Sequence, residues 1–181
     1  MENVLKYAPT HGGIQISPKY SPEEGEILMN LDYSVLAAEI VKMLENTQTA
    51  TLATSSDDKV TARSMAIVND GLIILFQTSG FSEKIRQLTE NPNVAFAAGN
   101  MQVEAVARVT KDPSDIQEFI EKFRVKYPLY FENYSGMPEE VTVICTPMSF
   151  ALYNFIDGKP CKDVLKDKRD GSFCLEYVKR L

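Results

Sequence analysis

Apolar positions along the chain change their spacing repeatedly, and each change marks an element. From Asp32 to Asn46 they recur at helical intervals: Val35, Leu36, Ile40, Met43 and Leu44 form a stripe, with Asp32 placed to cap it. The spacing then switches to strand character in Ala50–Thr54, a small-residue run ended by Ser55-Ser56-Asp57-Asp58. Val60–Val68 reads as the next strand. Asn69-Asp70-Gly71 supplies a hairpin turn, and Leu72–Thr78 follows, apolar at nearly every position as burial on both faces or a barrel wall requires. Ser82–Glu90 reads as a short helix with Ser82 at its cap, closed by Asn91-Pro92. Val94–Ala98 and Gln102–Thr110 are strands. In the second, Val103, Ala105, Ala107 and Val109 share one face, and Gln102, Glu104, Val106 and Arg108 share the other.

The second half begins with Asp112-Pro113, a helix start, and Ile116, Phe119, Ile120 and Phe123 then recur at i, i+3, i+4 and i+7. This amphipathic helix closes near Tyr127-Pro128. Tyr127, Tyr130, Phe131 and Tyr134 form an aromatic cluster whose first reading is core or interface packing. Val141–Cys145 and Met148–Ile156 are strands interrupted by Pro147, which predicts an edge or a bulge. Asp157-Gly158 and Asp170-Gly171 predict turns, Ser172–Val178 a last strand, and the lysine-rich Lys159–Arg169 a solvated connector. Residues 1–30, broken by Pro9, Gly12, Gly13, Pro18, Pro22 and Gly25, read as an N-terminal arm, and residues 31–181 as one domain. Strands outnumber helices, βαβ alternation is missing, and no GxGxxG follows a strand. The expectation is an antiparallel barrel with covering helices, not a dinucleotide-binding α/β sheet.

Composition narrows the partners. The net charge of −6 disfavours a nucleic-acid surface, which needs clustered Lys and Arg. No apolar run approaches membrane-spanning length, and MENVLKYAPTHGG has no apolar signal core, so a cytoplasmic protein is expected. Cys145, Cys161 and Cys174 have no CxxC spacing, and with the single His11 they make no zinc set, so free thiols and no metal are expected.

One polar constellation suggests chemistry. In Thr78-Ser79-Gly80-Phe81-Ser82-Glu83-Lys84, a helix start offers unpaired N–H groups, Thr78 and Ser82 offer hydroxyls, and Gly80 lets the backbone approach a ligand. Lys84 falls in the first helical turn, where a cation opposes the helix dipole unless an anion sits in front. Arg63, on a neighbouring strand, adds a fork of donors suited to phosphate. The competing reading is that both cations are simply solvated.

The order Arg63-Ser-Met-Ala, a hairpin, Phe76-Gln77-Thr78, Ser82-Glu83-Lys84, Asn91-Pro92-x-Val94 and Gln102-Val103 resembles the pyridoxamine 5′-phosphate oxidase-like family of FMN-binding split β-barrels, over about residues 35–110. The resemblance implies a mainly β (α+β) fold: an antiparallel six-stranded split β-barrel with peripheral helices. It implies FMN as cofactor and a homodimer with FMN at its interface. Arg63, Ser82 and Lys84 would contact the phosphate. Ser64, Met65 and Ala66 would line the isoalloxazine ring, largely through backbone, and Gln77 and Thr78 would end the next strand beside it. Gln102 would reach the flavin of the partner subunit. Glu83 stands where the oxidases proper carry arginine. The chain also has no tryptophan and no paired-arginine substrate motif, so the vitamin B6 reaction is not what the resemblance implies here.

Three functions follow. The first is an FMN-dependent oxidoreductase passing electrons between NAD(P)H and a small molecule, with Met65 and the aromatics after residue 127 lining a pocket over the ring. The second is a non-catalytic flavin- or haem-binding dimer, and the third is a dimerising barrel whose cofactor site has decayed, a reading that rests on Glu83.

Overall fold

The computed structural model describes residues 9–10, 13–14, 33–132, 139–156, 158–167 and 173–178. In chain order these form β1 (Pro9–Thr10), β2 (Gly13–Ile14), α1 (Tyr33–Asn46), β3 (Thr49–Ser56), β4 (Lys59–Ala66), β5 (Val68–Asp70), β6 (Ile73–Ser79), α2 (Glu83–Glu90), β7 (Asn93–Ala98), β8 (Met101–Thr110), α3 (Pro113–Lys126), α4 (Pro128–Phe131), β9 (Glu140–Ile156), β10 (Lys159–Asp167) and β11 (Phe173–Val178). His11, Asp32, Tyr134 and the Asp170-Gly171 turn lie outside the described residues, as does most of the expected arm.

From β3 onward the strands belong to one antiparallel sheet in the order β11-β10-β9-β8-β7-β3-β4, and β6 joins it through β9 and carries β5. The strand expected over Val60–Val68 is two. β4 pairs with β3, β5 pairs with β6, and the chain passes from one pairing to the other at Ile67. With β4 and β5 counted as one bent strand, the ring β3, β4–β5, β6, β9, β8, β7 has the six expected members. It is closed at Ile67 by the covalent chain and not by a ladder, which makes it a split barrel. Both hairpins entering the split use left-handed turn residues. Asp57 and Asp58 have φ of 49° and 57°, and Gly71 has φ of 53°, as two-residue turns between right-twisted strands require.

Strand β6 is buried along its middle because it has a core on each face. Ile74 and Phe76 point into the barrel with Leu52, Phe96, Val103, Val143 and Phe150, and α1 inserts Leu36, Ile40 and Leu44 into the same cluster. Val35, expected in that stripe, is instead 59% exposed: Leu36, Ile40 and Leu44 are successive i+4 neighbours, and Val35 lies off their line. Leu75 faces the other way, into a second cluster with Val68, Phe119 and Tyr127 beneath α3. Helix α3 starts as read, with Pro113 at its first turn and Asp112 accepting the Ser114 N–H.

Pro147 marks a bulge. On β8, Glu104 and Ala105 face Ser149 and Pro147, so Met148 is the extra residue. On its other edge, β9 pairs with β6 through Glu140–Cys145 and with β10 through Ser149–Ile156. Pro147 thus falls where β9 changes partner, the place in a central strand where a missing N–H costs least.

Lys159–Arg169 is not a solvated connector. Residues Lys159–Asp167 are β10, paired with β9 on one side and β11 on the other, and Cys161, Val164 and Leu165 are buried. Lysine is tolerated in this strand because its long stem can lie on apolar surface: Lys162 Nζ sits 5.4 Å from the Tyr153 ring centroid. β10 and β11 extend the sheet beyond the ring. Burial pushes the Cys145 thiol up to about 12, which makes it an inert core residue. Among the described residues no helix is long and apolar enough to cross a membrane.

Candidate functional site

The split leaves backbone edges open. Among the described residues, β4 pairs only with β3, and the end of β6 is laddered on one side only, to β9. Between them lies a cleft of about 240 Å³ lined by Ser64, Met65, Ala66, Gln77, Thr78, Phe119 and Phe123. Five of these are residues the sequence placed around a ring. An edge strand is suited to that task, because its unpaired N–H and C=O groups can meet the polar rim of a flat heterocycle while side chains hold its faces.

Phe119 and Phe123 were read only as a packing stripe. They stack on each other with ring centroids 5.3 Å apart, and Phe123 continues to Tyr127 at 4.7 Å. Nothing in a helical repeat distinguishes an aromatic that fills a core from one that walls a cleft at its edge. Tyr127, read as the first member of an aromatic packing cluster, is structural. It is 5% exposed, and its hydroxyl lies against the carbonyls of Ile67, at 2.8 Å, and Gln48. It can donate to one at a time, and either bond ties the end of α3 to the place where the barrel is split.

The phosphate constellation assembles beside this cleft. Lys84 Nζ donates to Thr78 Oγ1 at 2.8 Å, linking the first turn of α2 to the end of β6. Arg63 Nη1 donates to Thr54 Oγ1 at 2.6 Å, and its Nη2 donates to Thr61 Oγ1. Burial holds the Lys84 ammonium below its usual range, and the nearby Arg63 guanidinium lowers it further. Among the described residues, no carboxylate lies within ion-pairing distance of either cation. Two half-buried cations within electrostatic reach of each other, without an acid between them, are a site that favours an anion.

Two orphaned atoms point the same way. Ser82 caps α2 in extended conformation, yet its hydroxyl makes no capping bond, and Oγ is buried without a partner. Gln77 donates from Nε2 to Thr142 Oγ1 at 3.1 Å, while its Oε1 is buried without a partner. An unmet hydroxyl at a helix start suits a phosphate oxygen, and an unmet amide at the cleft suits a polar ring edge. The residues present therefore fit FMN.

Glu83 is bonded to neither pocket cation, although it lies within electrostatic reach of Arg63. Its carboxylate is gripped by Arg86, with Nη2 to Oε1 at 2.9 Å and Nε to Oε2 at 3.0 Å, and Arg86 also holds Glu90 at 2.8 Å. That bond keeps the Glu83 carboxyl below the usual range. Gly80 also has a different role from the one expected. Its N–H donates to Glu139 O at 2.8 Å, and a Cβ built on it would stand 2.8 Å from that same oxygen, so the close approach is to the backbone before β9 and not to a ligand. Gly80→Ala is expected to lower stability by about 1–3 kcal/mol in urea denaturation. An unchanged midpoint would show that this junction gives way freely.

Gln102 is not brought to the cleft. It stands on the exposed face of β8, where its Oε1 accepts from Tyr153 Oη at 3.4 Å. Among the described residues, no group of His, Cys, Asp and Glu converges as a metal site would require. A larger open groove of about 480 Å³ between α1 and the β7–β8 turn is lined by Glu39, Lys42, Asn46 and Asn100 among others, and it includes none of the residues above.

Comparison with known proteins agrees with this architecture. Solved structures that share the fold include three of known description. The first is a pyridoxamine 5′-phosphate oxidase-related, FMN binding protein from Nostoc punctiforme (13% identity, TM-score 0.56, covering 83% of this chain and 100% of that one). The second is PhzG from Burkholderia lata in complex with tetrahydrophenazine-1-carboxylic acid (14%, 0.54, 80% and 89%). The third is HutZ, a heme storage protein from Vibrio cholerae (17%, 0.51, 61% and 88%). No curated protein sequence matches the chain. Residues 36–151, which run from the first buried leucine of α1 through the long strand β9, match the sequence profile of the family described as pyridoxamine 5′-phosphate oxidase, and the chain belongs to that family.

Proposed function

We propose that the protein binds FMN in the split between β4 and β6 and acts as an FMN-dependent oxidoreductase on a small molecule, with NAD(P)H as electron donor. The observation that carries the reading is the pairing of an anion-seeking corner with a ring-sized cleft. Arg63, Lys84 and the orphaned Ser82 hydroxyl form the first, and the open edge of β4 with Gln77, Thr78 and Phe119 forms the second. Arg63 and Lys84 would hold the phosphate, and Ser64, Met65 and Ala66 would border the ring. The Phe119–Phe123 stack would keep water from one side of it. Bound FMN supplies the redox chemistry, and no side chain of the cleft is required as acid or base.

Gln102 supports a homodimeric site as part of this proposal. A glutamine exposed on β8 and absent from the lining of its own cleft is consistent with service to another subunit's site. The pairing of Glu83 with Arg86 weighs against a decayed site, because the carboxylate is held by another cation while still within electrostatic reach of Arg63. Haem binding stays the second reading, since one structure of this fold is a heme storage protein. His11, the only histidine, lies outside the described residues.

The test is a visible spectrum of the purified protein and the release of its ligand, followed by titration of apoprotein with FMN, riboflavin and haem. Flavin absorbance, a raised melting temperature with FMN, and bleaching by NADH or NADPH are expected. A colourless protein that FMN does not stabilise would overturn the proposal, and a haem spectrum would favour the second reading.

A further inference from the structure

Gln87 is a glutamine with 0% of its surface exposed, one helical turn beyond Lys84 on α2. Its Oε1 accepts two hydrogen bonds, from Thr54 Oγ1 at 2.5 Å and from Thr61 Oγ1 at 2.8 Å. Thr54 and Thr61 are a cross-strand pair of the β3–β4 hairpin. Each of their hydroxyls also accepts from Arg63, Thr54 from Nη1 at 2.6 Å and Thr61 from Nη2. Two arms therefore leave the guanidinium, pass through one threonine each, and meet on a single amide oxygen.

The direction of every bond in this fork is determined. A guanidinium only donates, so both threonine oxygens must accept from it. Each threonine then has one proton left, and the Gln87 oxygen receives it. The amide is held in that orientation by its other end, where Nε2 donates to Lys59 O at 3.3 Å. A flipped amide would set its oxygen against that carbonyl. Glutamate here would place a negative charge in the fork and compensate Arg63 from behind. A neutral acceptor fixes the guanidinium without adding a carboxylate behind it, so the acid that acts on its charge is the exposed Glu83, which is paired with Arg86.

From this geometry we infer that Gln87 is a positioning residue for phosphate recognition, acting through Thr54 and Thr61 on Arg63. The inference rests on the FMN reading and deepens it. Gln87 joins the helix that carries Ser82 and Lys84 to the hairpin that carries Arg63, so one buried amide sets the spacing of the two halves of the anion site. The fork takes one N–H from each end of the guanidinium, and Nη1 also donates to Leu52 O at 3.4 Å, which leaves Nε and the second N–H of Nη2 for the phosphate. A merely structural glutamine would support ring and phosphate alike, whereas a positioning residue supports the phosphate alone.

The ratio of FMN to riboflavin affinity separates these. Fluorescence quenching on apoprotein gives both dissociation constants for wild type, Gln87→Met, Thr54→Val and Thr54→Ser. Wild type is expected to prefer FMN strongly. Gln87→Met and Thr54→Val should lower the preference roughly tenfold or more by weakening FMN alone, the effect of losing a bond to a charged group. Thr54→Ser, which keeps the hydroxyl, should retain the wild-type preference. If Gln87→Met fails to fold, the Thr54 pair carries the test unaided. Equal loss of FMN and riboflavin affinity, or an unchanged ratio, would overturn the positioning role while leaving FMN binding in place. A wild-type protein with no preference for FMN over riboflavin would overturn the phosphate reading itself, and this inference with it.

Discussion

Replacing Arg63 and Lys84 together by alanine is expected to weaken FMN binding by about a hundredfold or more and to leave riboflavin binding within a few-fold of wild type. Each hydrogen bond to a charged group contributes about 1.5–3 kcal/mol. Two such losses amount to about 3–6 kcal/mol, and each 1.4 kcal/mol is a factor of ten. The single variants should not sum to the double. Arg63 and Lys84 repel each other without an anion, and removing one relieves the other; burial first, and Arg63 second, lower the proton affinity of Lys84. Arg63→Lys should recover little of the loss, because an ammonium cannot donate from the two rigid ends that meet Thr54 and Thr61. Isothermal titration of the apoprotein measures all four variants. An FMN affinity unchanged in the double variant would place the phosphate elsewhere on the molecule.

The second large effect is on stability. Tyr127→Ala is expected to cost about 3–5 kcal/mol, the range for removing a large buried aromatic, and Tyr127→Phe about 1–2 kcal/mol. Tyr127 is packed with Phe123 in the layer under α3, and its hydroxyl meets the Ile67 carbonyl where neither β4 nor β5 offers that residue a ladder partner. Alanine removes both the packing and the tie, and phenylalanine removes only the tie. Urea denaturation gives the two values. Phenylalanine costing nothing would mean that the Ile67 carbonyl finds water instead. Because Phe119 and Phe123 wall the cleft from the same helix, Tyr127→Ala should also loosen flavin binding in any molecules that remain folded.

Much of this was legible before any coordinates. The switch from helical to strand spacing after Asn46, the Asp70-Gly71 turn and the Asp112-Pro113 start each reflect local chemistry, and each element stands where its residues put it. The doubly buried β6 was readable because a strand with a core on both faces has no polar alternation to show. Two features were out of reach for a common reason. The break at Ile67 and the strand character of Lys159–Asp167 depend on which partner a strand has, and partners are distant in sequence, whereas the bulge beside Pro147 announced itself through a missing N–H. The site divided along the same line. Lys84 was conspicuous because it opposes a helix dipole, a local conflict. Gln87, Thr54 and Thr61 conflict with nothing nearby, and only the fold shows that they converge on one guanidinium.

The change of partner along β9 separates what can vary in this protein from what cannot. Both halves ladder to β8 and wall the ring, but the first, Glu140–Cys145, has β6 on its other edge, while the second has the added β10 there. A substitution or length change in the C-terminal hairpin alters the edge of the sheet beyond Pro147 without disturbing the ladder that holds Gln77 and Thr78 at the cleft. Apart from Leu165, which β10 buries in the main core, that added edge is open to new surfaces without touching the ladder at the other end of the same strand.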